Sequence, residues 1–238
     1  MINGKGLHRP VYLLNEESSE TAPARTTIIY TNWRRTKQLQ RITEDAMRQS
    51  AKPQVWVIDN ASDHRAHRYD GIAHRITRLR NADKCYARWM EAQYTTTPYI
   101  CIMDDDLTFN DDDVILSCER YMDDTPNIQA IGYNGVRLLP GKSYWQSMHS
   151  PANQHEVHCD IIKGRFMFIR ACELYSIPIR DEYNDTCDDI CISAMLHHKL
   201  LPTMLAGRIS NLIEGLEALH ASQDQRIKRN RAAAHYFG

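Results

Sequence analysis

The sequence predicts an α/β fold with a Rossmann-like, mostly parallel central sheet flanked by helices. Three observations carry this expectation. Short, nearly continuous apolar runs, such as Val55–Asp59 and Tyr99–Met103, have the pattern of strands buried on both faces. They alternate with stretches whose apolar residues recur at three- to four-residue spacing, as in helices packed on a sheet. At 238 residues the chain is long enough to bury one sizeable core.

The elements follow in order. Residues 1–24 read as a polar arm, and residues 25–238 as a single domain. Within it, the regular β/α alternation of 25–125 is expected to bind a nucleotide, and the less regular 126–238 to complete the site. Thr26–Thr31 is a β-branched strand leading into Asn32-Trp-Arg-Arg35, and Leu39, Ile42, Ala46 and Met47 mark a helix. Val55–Asp59 and Ile76–Leu79 are the next strands, and Asp83–Tyr94 the next helix. Tyr99–Met103 is the most apolar strand and runs directly into Asp104-Asp-Asp106. Asn110 reads as a helix N-cap with Asp111–Asp113 in the first turn, where the helix dipole favours negative charge. Beyond about residue 125 the alternation weakens. Ile128–Tyr133, Val136–Leu139 and Phe166–Ile169 read as strands, and Gly141–Val157 as a loop lining a site. Asp188–Leu200 and Asp224–Tyr236 read as helices.

Composition narrows the functional classes. With 29 basic and 30 acidic residues the charge is balanced, which gives no support to broad nucleic-acid or membrane-surface binding. No run approaches the ~18 apolar residues of a membrane span, and the first twenty residues lack the apolar core of a signal peptide. The seven scattered cysteines then read as reduced thiols of a cytoplasmic protein. His155, His158, Cys159 and His197–His198 lack the spacing of a zinc site. Lys228-Arg-Asn-Arg231 reads as a solvated helix face. No glycine-rich phosphate loop is present, which disfavours kinases and dehydrogenases.

The chemistry concentrates at the strand ends. In open parallel sheets, ligands collect outside the carboxyl ends of the strands, where Asp59 and Asp104–Asp106 fall. Adjacent carboxylates repel one another, and a hard divalent cation relieves that repulsion. In an extended backbone Asp104 and Asp106 project to one side and Asp105 to the other. Mn²⁺ or Mg²⁺ held there would bridge to a diphosphate. In the second half, Asp160-Ile-Ile-Lys163-Gly164-Arg165 combines a glycine that permits close approach to a ligand with polar groups for hydroxyls or phosphate. Asp185-Thr-Cys-Asp188-Asp189 opens a helix with an acidic pair.

These motifs, in this order, resemble the GT-A glycosyltransferases. Val55–Asn60, Arg80-Asn81 with Arg88, and Tyr99–Phe109 are similar to the nucleotide-sugar half of that family. The resemblance implies a glycosyltransferase that moves a sugar from a nucleotide-diphosphate donor to a hydroxyl acceptor, which is a glycan, a small molecule or a modified nucleic-acid base. It implies donor contacts from Thr31, Asn32, Arg35, Asp59, Asn60, Arg80, Asn81, Arg88, Asp104, Asp105, Lys163, Gly164 and Arg165. Asp106, with Asp104, would ligate the metal. Asp189, with Asp188 beside it, would be the catalytic acidic pair, and Asp189 the base in an inverting enzyme. The tail from Gly215 through His220, Arg226 and Asn230 resembles exostosin-type enzymes, which implies His220 as a further metal ligand and Arg226 as a phosphate contact. Asn-Ala-Asp-Lys-Cys85 departs from the glycine-containing loop of the commonest small bacterial members. The rival readings are a nucleotidyltransferase that makes a nucleotide sugar, and a non-catalytic carbohydrate- or nucleic-acid-binding module. Asn32-Trp-Arg-Arg-Thr36 lacks the glycine expected of the first, and two acidic motifs exceed what binding alone requires.

Overall fold

The computed structural model describes residues 23–32, 36–60, 71, 73–78, 84–151, 155–174, 183–212 and 223–238. Arg35, Arg80, Asn81 and His220 lie outside these residues, as does most of the polar arm.

An eight-stranded sheet forms the centre. Its strands are β1 (Thr26–Asn32), β2 (Gln54–Asp59), β3 (Arg75–Arg78), β4 (Tyr99–Asp104), β6 (Ala130–Gly132), β9 (Val157–His158), β11 (Phe166–Arg170) and β12 (Lys199–Leu201), in the order β3-β2-β1-β4-β11-β6-β12-β9. β1 pairs in parallel with both β2 and β4, β2 with β3, and β6 with β12. β11 runs antiparallel between β4 and β6, and β9 runs antiparallel to β12. The expected mostly parallel sheet is therefore present, with one reversed strand inserted beside the most apolar one.

Side chains alternate across the sheet as strand geometry requires. Ile28, Tyr30, Val55, Val57, Cys101, Met103, Phe166 and Phe168 enter one apolar layer. Ile29, Trp56, Ile58, Ile100, Ile102, Met167 and Ile169 enter the other. α1 (Thr36–Arg48) and α3 (Val114–Asp124) cover the first layer through Leu39, Ile42, Val114, Ile115 and Cys118. α2 (Ala87–Ala92) and α4 (Asn184–Met195) cover the second through Trp89, Ile192 and their neighbours. A third apolar group joins α4 to α5 (Gln223–Phe237) and to a small sheet of β7 (Asn134–Arg137), β8 (Met148–Pro151) and β10 (Ile161–Ile162). Ala232 and Ala233 let α5 approach closely there. β5 (Leu107–Phe109) pairs with β13 (Ile209–Asn211) and so holds the chain just after the acidic turn.

The second acidic triplet differs from the sequence expectation. α3 begins at Val114, so Asp111–Asp113 precede the helix, and Asp113 makes no side-chain cap. Asp111 instead accepts from Arg208 Nε at 2.7 Å and from the amide of Asp113 at 3.0 Å. Asn110 donates to the carbonyl of Gly207 at 2.6 Å. A charge-assisted pair with the β13 side outweighs a solvated dipole contact. All seven cysteines are free, and six are at least partly buried. The helix predicted over 188–200 stops at Met195, because Lys199–Leu201 joins the sheet.

Gly135 fixes how tightly the small sheet closes. A Cβ there would lie 2.9 Å from the carbonyl of Ile161 and 3.0 Å from Cys159 Sγ, inside ordinary contact. Gly135→Ala should therefore cost about 1–3 kcal/mol of stability, as overpacking does. Urea unfolding with an unchanged m-value would read this loss; wild-type stability would mean that the strands part freely.

Candidate active site

The crevice lies at the carboxyl ends of β1, β2 and β4, and it is walled by the 163–165 loop and the start of α4. Asn32 ends β1, and its carboxamide donates to Asp59 Oδ1 at 3.1 Å. Asn60 donates to the carbonyl of Lys84 at 2.9 Å. Lys84 holds a left-handed backbone, φ 48° being found elsewhere only at Lys52 among non-glycine described residues and Lys84 itself having φ 44°. This strained conformation falls in the loop where the family resemblance expects glycine. Thr31 Oγ1 and Asn60 Oδ1 are buried without a hydrogen-bond partner among the described residues. Orphaned polar atoms of this kind are uncommon in a folded interior. These two line the place where the resemblance puts the nucleoside.

Arg88 is the centre of the crevice. α2 carries its guanidinium, almost wholly buried, into contact with three acceptors. Nη1 donates to Asp104 Oδ1 at 2.8 Å and to the carbonyl of Gly164 at 3.0 Å. Nε donates to Asp188 Oδ2 at 2.8 Å. Trp89 Nε1 donates to the same Asp188 oxygen at 2.6 Å. Burial works against the Arg88 charge, but Asp188 and Asp104 outweigh it and hold the group firmly protonated. Gly164 is required here, since a Cβ would overlap Arg88 Nη2 and sit 3.2 Å from Asp189 Cβ.

The strand-end carboxylates are divided among cations. The amide of Asp104 donates to the carbonyl of Arg165 at 2.9 Å, which ties the β4 end to the 163–165 loop. Arg165 Nη2 reaches Asp106 Oδ1 at 3.2 Å and also contacts Asn211. Asp104 and Asp106 keep about a third of their side-chain surface open to the crevice, while Asp105 is buried. Recession into the crevice raises the Asp104 carboxyl; Arg88 opposes this, and repulsion from Asp106 adds to it. Among the described residues no group of three or more His, Cys, Asp or Glu side chains could hold a metal alone. Two open carboxylates suit Mg²⁺ or Mn²⁺, which usually take one or two protein carboxylates and complete their shell with substrate phosphates and water. The chemistry of this donor pair therefore fits the ion that the resemblance implies.

The acidic pair opens the regular part of α4. Cys187 departs from helical geometry at φ −125°, ψ 29°, so a kink separates Asn184–Thr186 from the helix that follows. The two carboxyls are both buried, yet their environments differ. Asp188 is raised by burial, with Asp189 adding to this and Arg88 opposing. Burial also pushes Asp189 up, but Arg229 and the amide of Gly164 outweigh it and hold it below the usual aspartate range. Asp189 Oδ2 accepts from Arg229 Nη2 at 2.7 Å and from Gly164 N at 3.2 Å, and Oδ1 from Ile190 N at 3.0 Å.

Arg229 was not legible as a site residue. It belongs to the basic run read as a solvated helix face, yet it is buried against Asp189 and donates to the Tyr144 hydroxyl at 2.8 Å. Arg226, the residue the sequence points to, lies one turn earlier over the Trp145 ring at 5.6 Å. It borders a groove of about 500 Å³ with Trp145, Gln223, Ile227 and Asn230. Tyr144 and Trp145 come from the loop read as lining a site, where Ser143 and Gln146 form a reciprocal capping box. Trp145 stacks on His149 at 5.7 Å. Lys163 is lowered by burial, with Arg229 and Arg165 adding and Asp189 opposing, which places it beside the same carboxylate. His155, His158, His197 and His198 are exposed.

The sequence profile of Glycosyl transferase family 2 matches residues 27–198. The chain belongs to this family. It is a glycosyltransferase, and its sheet and helices have the GT-A architecture. Its fold is similar to that of the mannosyltransferase PcManGT from Pyrobaculum calidifontis, solved in complex with GDP-Man and Mn²⁺. The TM-score is 0.64 at 14% identity, over 94% of this chain and 69% of that one. S. aureus TarS 1-349 has a TM-score of 0.56 at 10% identity, over 75% of this chain and 58% of that one. No curated protein matches the glycosyltransferase significantly. No described helix is long and apolar enough to cross a membrane.

Removing one partner of a buried pair strands the other charge, whereas an open pair is worth little. Asp188→Asn, which leaves Arg88 short of an anion, should lose about 3–5 kcal/mol. Asp106→Asn should lose under about 1 kcal/mol. Equal losses in chemical denaturation would contradict the central place given to Arg88.

Proposed function

We propose that this glycosyltransferase moves a sugar from a nucleotide-diphosphate donor to a hydroxyl acceptor, with a divalent cation at Asp104 and Asp106 and with Asp189 as the base. The observation that carries this reading is the different anchoring of two adjacent buried carboxyls: Asp188 accepts from Arg88 and Trp89, whereas Asp189 accepts from Arg229 and the Gly164 amide. Environments that push neighbouring carboxyls apart assign them different tasks. Asp188 is committed to Arg88 and Trp89, and Asp189 is kept ionised beside the crevice.

The residues divide the work accordingly. Thr31, Asn32, Asp59 and Asn60 face the nucleoside, and the two orphaned oxygens take its polar groups. Residues 25–125 supply this donor half, and 126–238 the acceptor half. Mn²⁺ or Mg²⁺ held by Asp104 and Asp106 would neutralise charge on the departing nucleotide diphosphate. His220 would add to that shell, Arg226 would reach toward phosphate, and Arg35, Arg80 and Asn81 would complete the donor pocket. Arg165 and Lys163 add positive charge beside the donor, and Gly164 lets the sugar approach the backbone. Asp189 takes the proton of the acceptor hydroxyl as the new glycosidic bond forms. The GDP-Man and Mn²⁺ bound to the Pyrobaculum calidifontis mannosyltransferase support a nucleotide-sugar donor and such an ion.

A thermal-shift screen of UDP- and GDP-sugars, with Mn²⁺ and then with chelator, tests the donor and the metal together. A true donor should raise Tm by mass action only when Mn²⁺ is present. The same shift in chelator would refute metal dependence. The substitutions Asp104→Asn and Asp106→Asn should abolish the Mn²⁺-dependent part.

Asp189→Asn preserves shape and removes basicity. Turnover should fall at least about a hundredfold, the usual lower bound for a positioned base, with donor affinity nearly unchanged. Wild-type transfer by this variant would place the base elsewhere.

A further inference from the structure

Asp189 has a fixed number of places to receive a proton. A carboxylate offers about four lone-pair sites. Three are taken by N–H donors that do not give up their protons: the Ile190 amide on Oδ1, and the Gly164 amide and Arg229 Nη2 on Oδ2. One place remains for a hydroxyl.

Two of the three donors are backbone and come with the fold. The third arrives on α5, a separate helix, and is held from behind. The Arg229 guanidinium lies over the Tyr144 ring at 4.7 Å and donates to its hydroxyl at 2.8 Å. Tyr144 is in turn buried and fixed by the capped turn of residues 143–146.

We propose that Arg229, braced on Tyr144, is a positioning residue that orients the Asp189 carboxylate and keeps it ionised for the acceptor hydroxyl. The inference rests on the reading of Asp189 as the base. An arginine suits this task because it cannot release a proton to the base it holds. Both bonds come from Nη2 while the planar guanidinium lies over the Tyr144 ring, a stacking that an ammonium makes less well.

Other charged or titratable groups face Asp189 and bear on its titration. Lys163 approaches from the loop before β11, and Arg88 from α2. Cys85 lies beside α2, and Asp188 and Cys187 adjoin Asp189 on its own helix. Arg88 is already shared between Asp188 and Asp104, and Lys163 acts on Asp189 through its charge. Arg229 is thus the cation bonded to Asp189 itself.

The sign follows from the geometry. Asp189 works ionised, and Arg229 lowers its proton affinity. Removing Arg229 takes away the largest force opposing burial and leaves only the Gly164 amide and Arg88 against it, so protonation, and with it the acid limb of the pH–rate profile, moves to higher pH.

The test uses the full chain labelled with ¹³C in its aspartate carboxyls, with the Asp189 signal assigned through Asp189→Asn. In wild type, Asp189 should stay ionised below the ordinary aspartate range. In Arg229→Met it should titrate at least one pH unit higher, and Arg229→Lys should recover part of the shift. Tyr144→Phe, which keeps the ring and the charge, should move it in the same direction by less, and it serves if Arg229→Met does not fold. The acid limb for hydrolysis of UDP- and GDP-sugars with Mn²⁺ should move with the carboxyl, while binding of UDP or GDP with Mn²⁺ stays unchanged.

Unchanged titration of Asp189 in both Arg229→Met and Tyr144→Phe would overturn the proposal. A carboxyl that shifts while the acid limb stays fixed would also overturn it, leaving a structural ion pair. Nucleotide binding that weakens with no shift at Asp189 would place Arg229 on the diphosphate instead. If Asp189→Asn hydrolyses at the wild-type rate, the reading of Asp189 as base fails separately, whatever Arg229 does to its titration.

Discussion

One buried cation organises the crevice. Arg88 joins three segments that lie far apart in the chain: the end of β4 at Asp104, the loop at Gly164, and the acidic opening of α4 at Asp188. A guanidinium withdrawn from water at this depth is tolerable only when its donors are matched by anions and carbonyls. That requirement fixes the neighbours in turn. Residue 164 must lack a side chain, Asp188 must accept from the guanidinium, and Trp89 must point its indole N–H at the same oxygen. Lysine would carry the charge but not the planar fork, so it could not hold all three segments.

The division of the acidic pair follows from the same arrangement. Once Arg88 has claimed Asp188, the adjacent Asp189 cannot share that cation on equal terms. Its charge is met from the other side, by α5 and by the loop amide. Two like charges in neighbouring positions are thus stabilised by cations from opposite halves of the molecule. The crevice is in this sense a small ionic lattice, with aspartate and arginine alternating from Asp106 through Arg165, and from Asp104 through Arg88 to Asp188.

Much of the fold was legible in the sequence, because burial on both faces leaves a continuous apolar run and a helix leaves its own spacing. Tyr99–Met103 and Val55–Asp59 are plain for that reason. Strand direction leaves no such trace, so the reversal of β11 between β4 and β6 emerges only in three dimensions. The site residues divide along the same line. Asp104, Asp106, Asp188 and Asp189 stand out because carboxylates at strand or helix ends need a reason to be there. Arg88 was visible, but its partner lies 100 residues away. Arg229 was hidden because a basic residue on a polar helix looks solvated until the packing partner is known. Asn110 and Asp111 show the converse, since a good local capping pattern yields to Arg208, 97 residues distant in sequence.

The separation of partners has a consequence for how the chain is made. Synthesis runs from the amino end, and domains acquire structure as they emerge. Arg88 and Asp104 are available early, but Asp188 follows about a hundred residues later, and Arg229 comes 40 residues after Asp189. Until α5 reaches the small sheet, Asp189 lacks the cation bonded to it, although α4 already buries Ile192 against the sheet. Contacts of such long sequence separation are slow to form, because the loop must close before the contact rewards it. A translating ribosome therefore carries a chain whose sheet can be assembled while its crevice is still electrostatically incomplete. The charge balance of the crevice is completed only when α5 docks against Asp189.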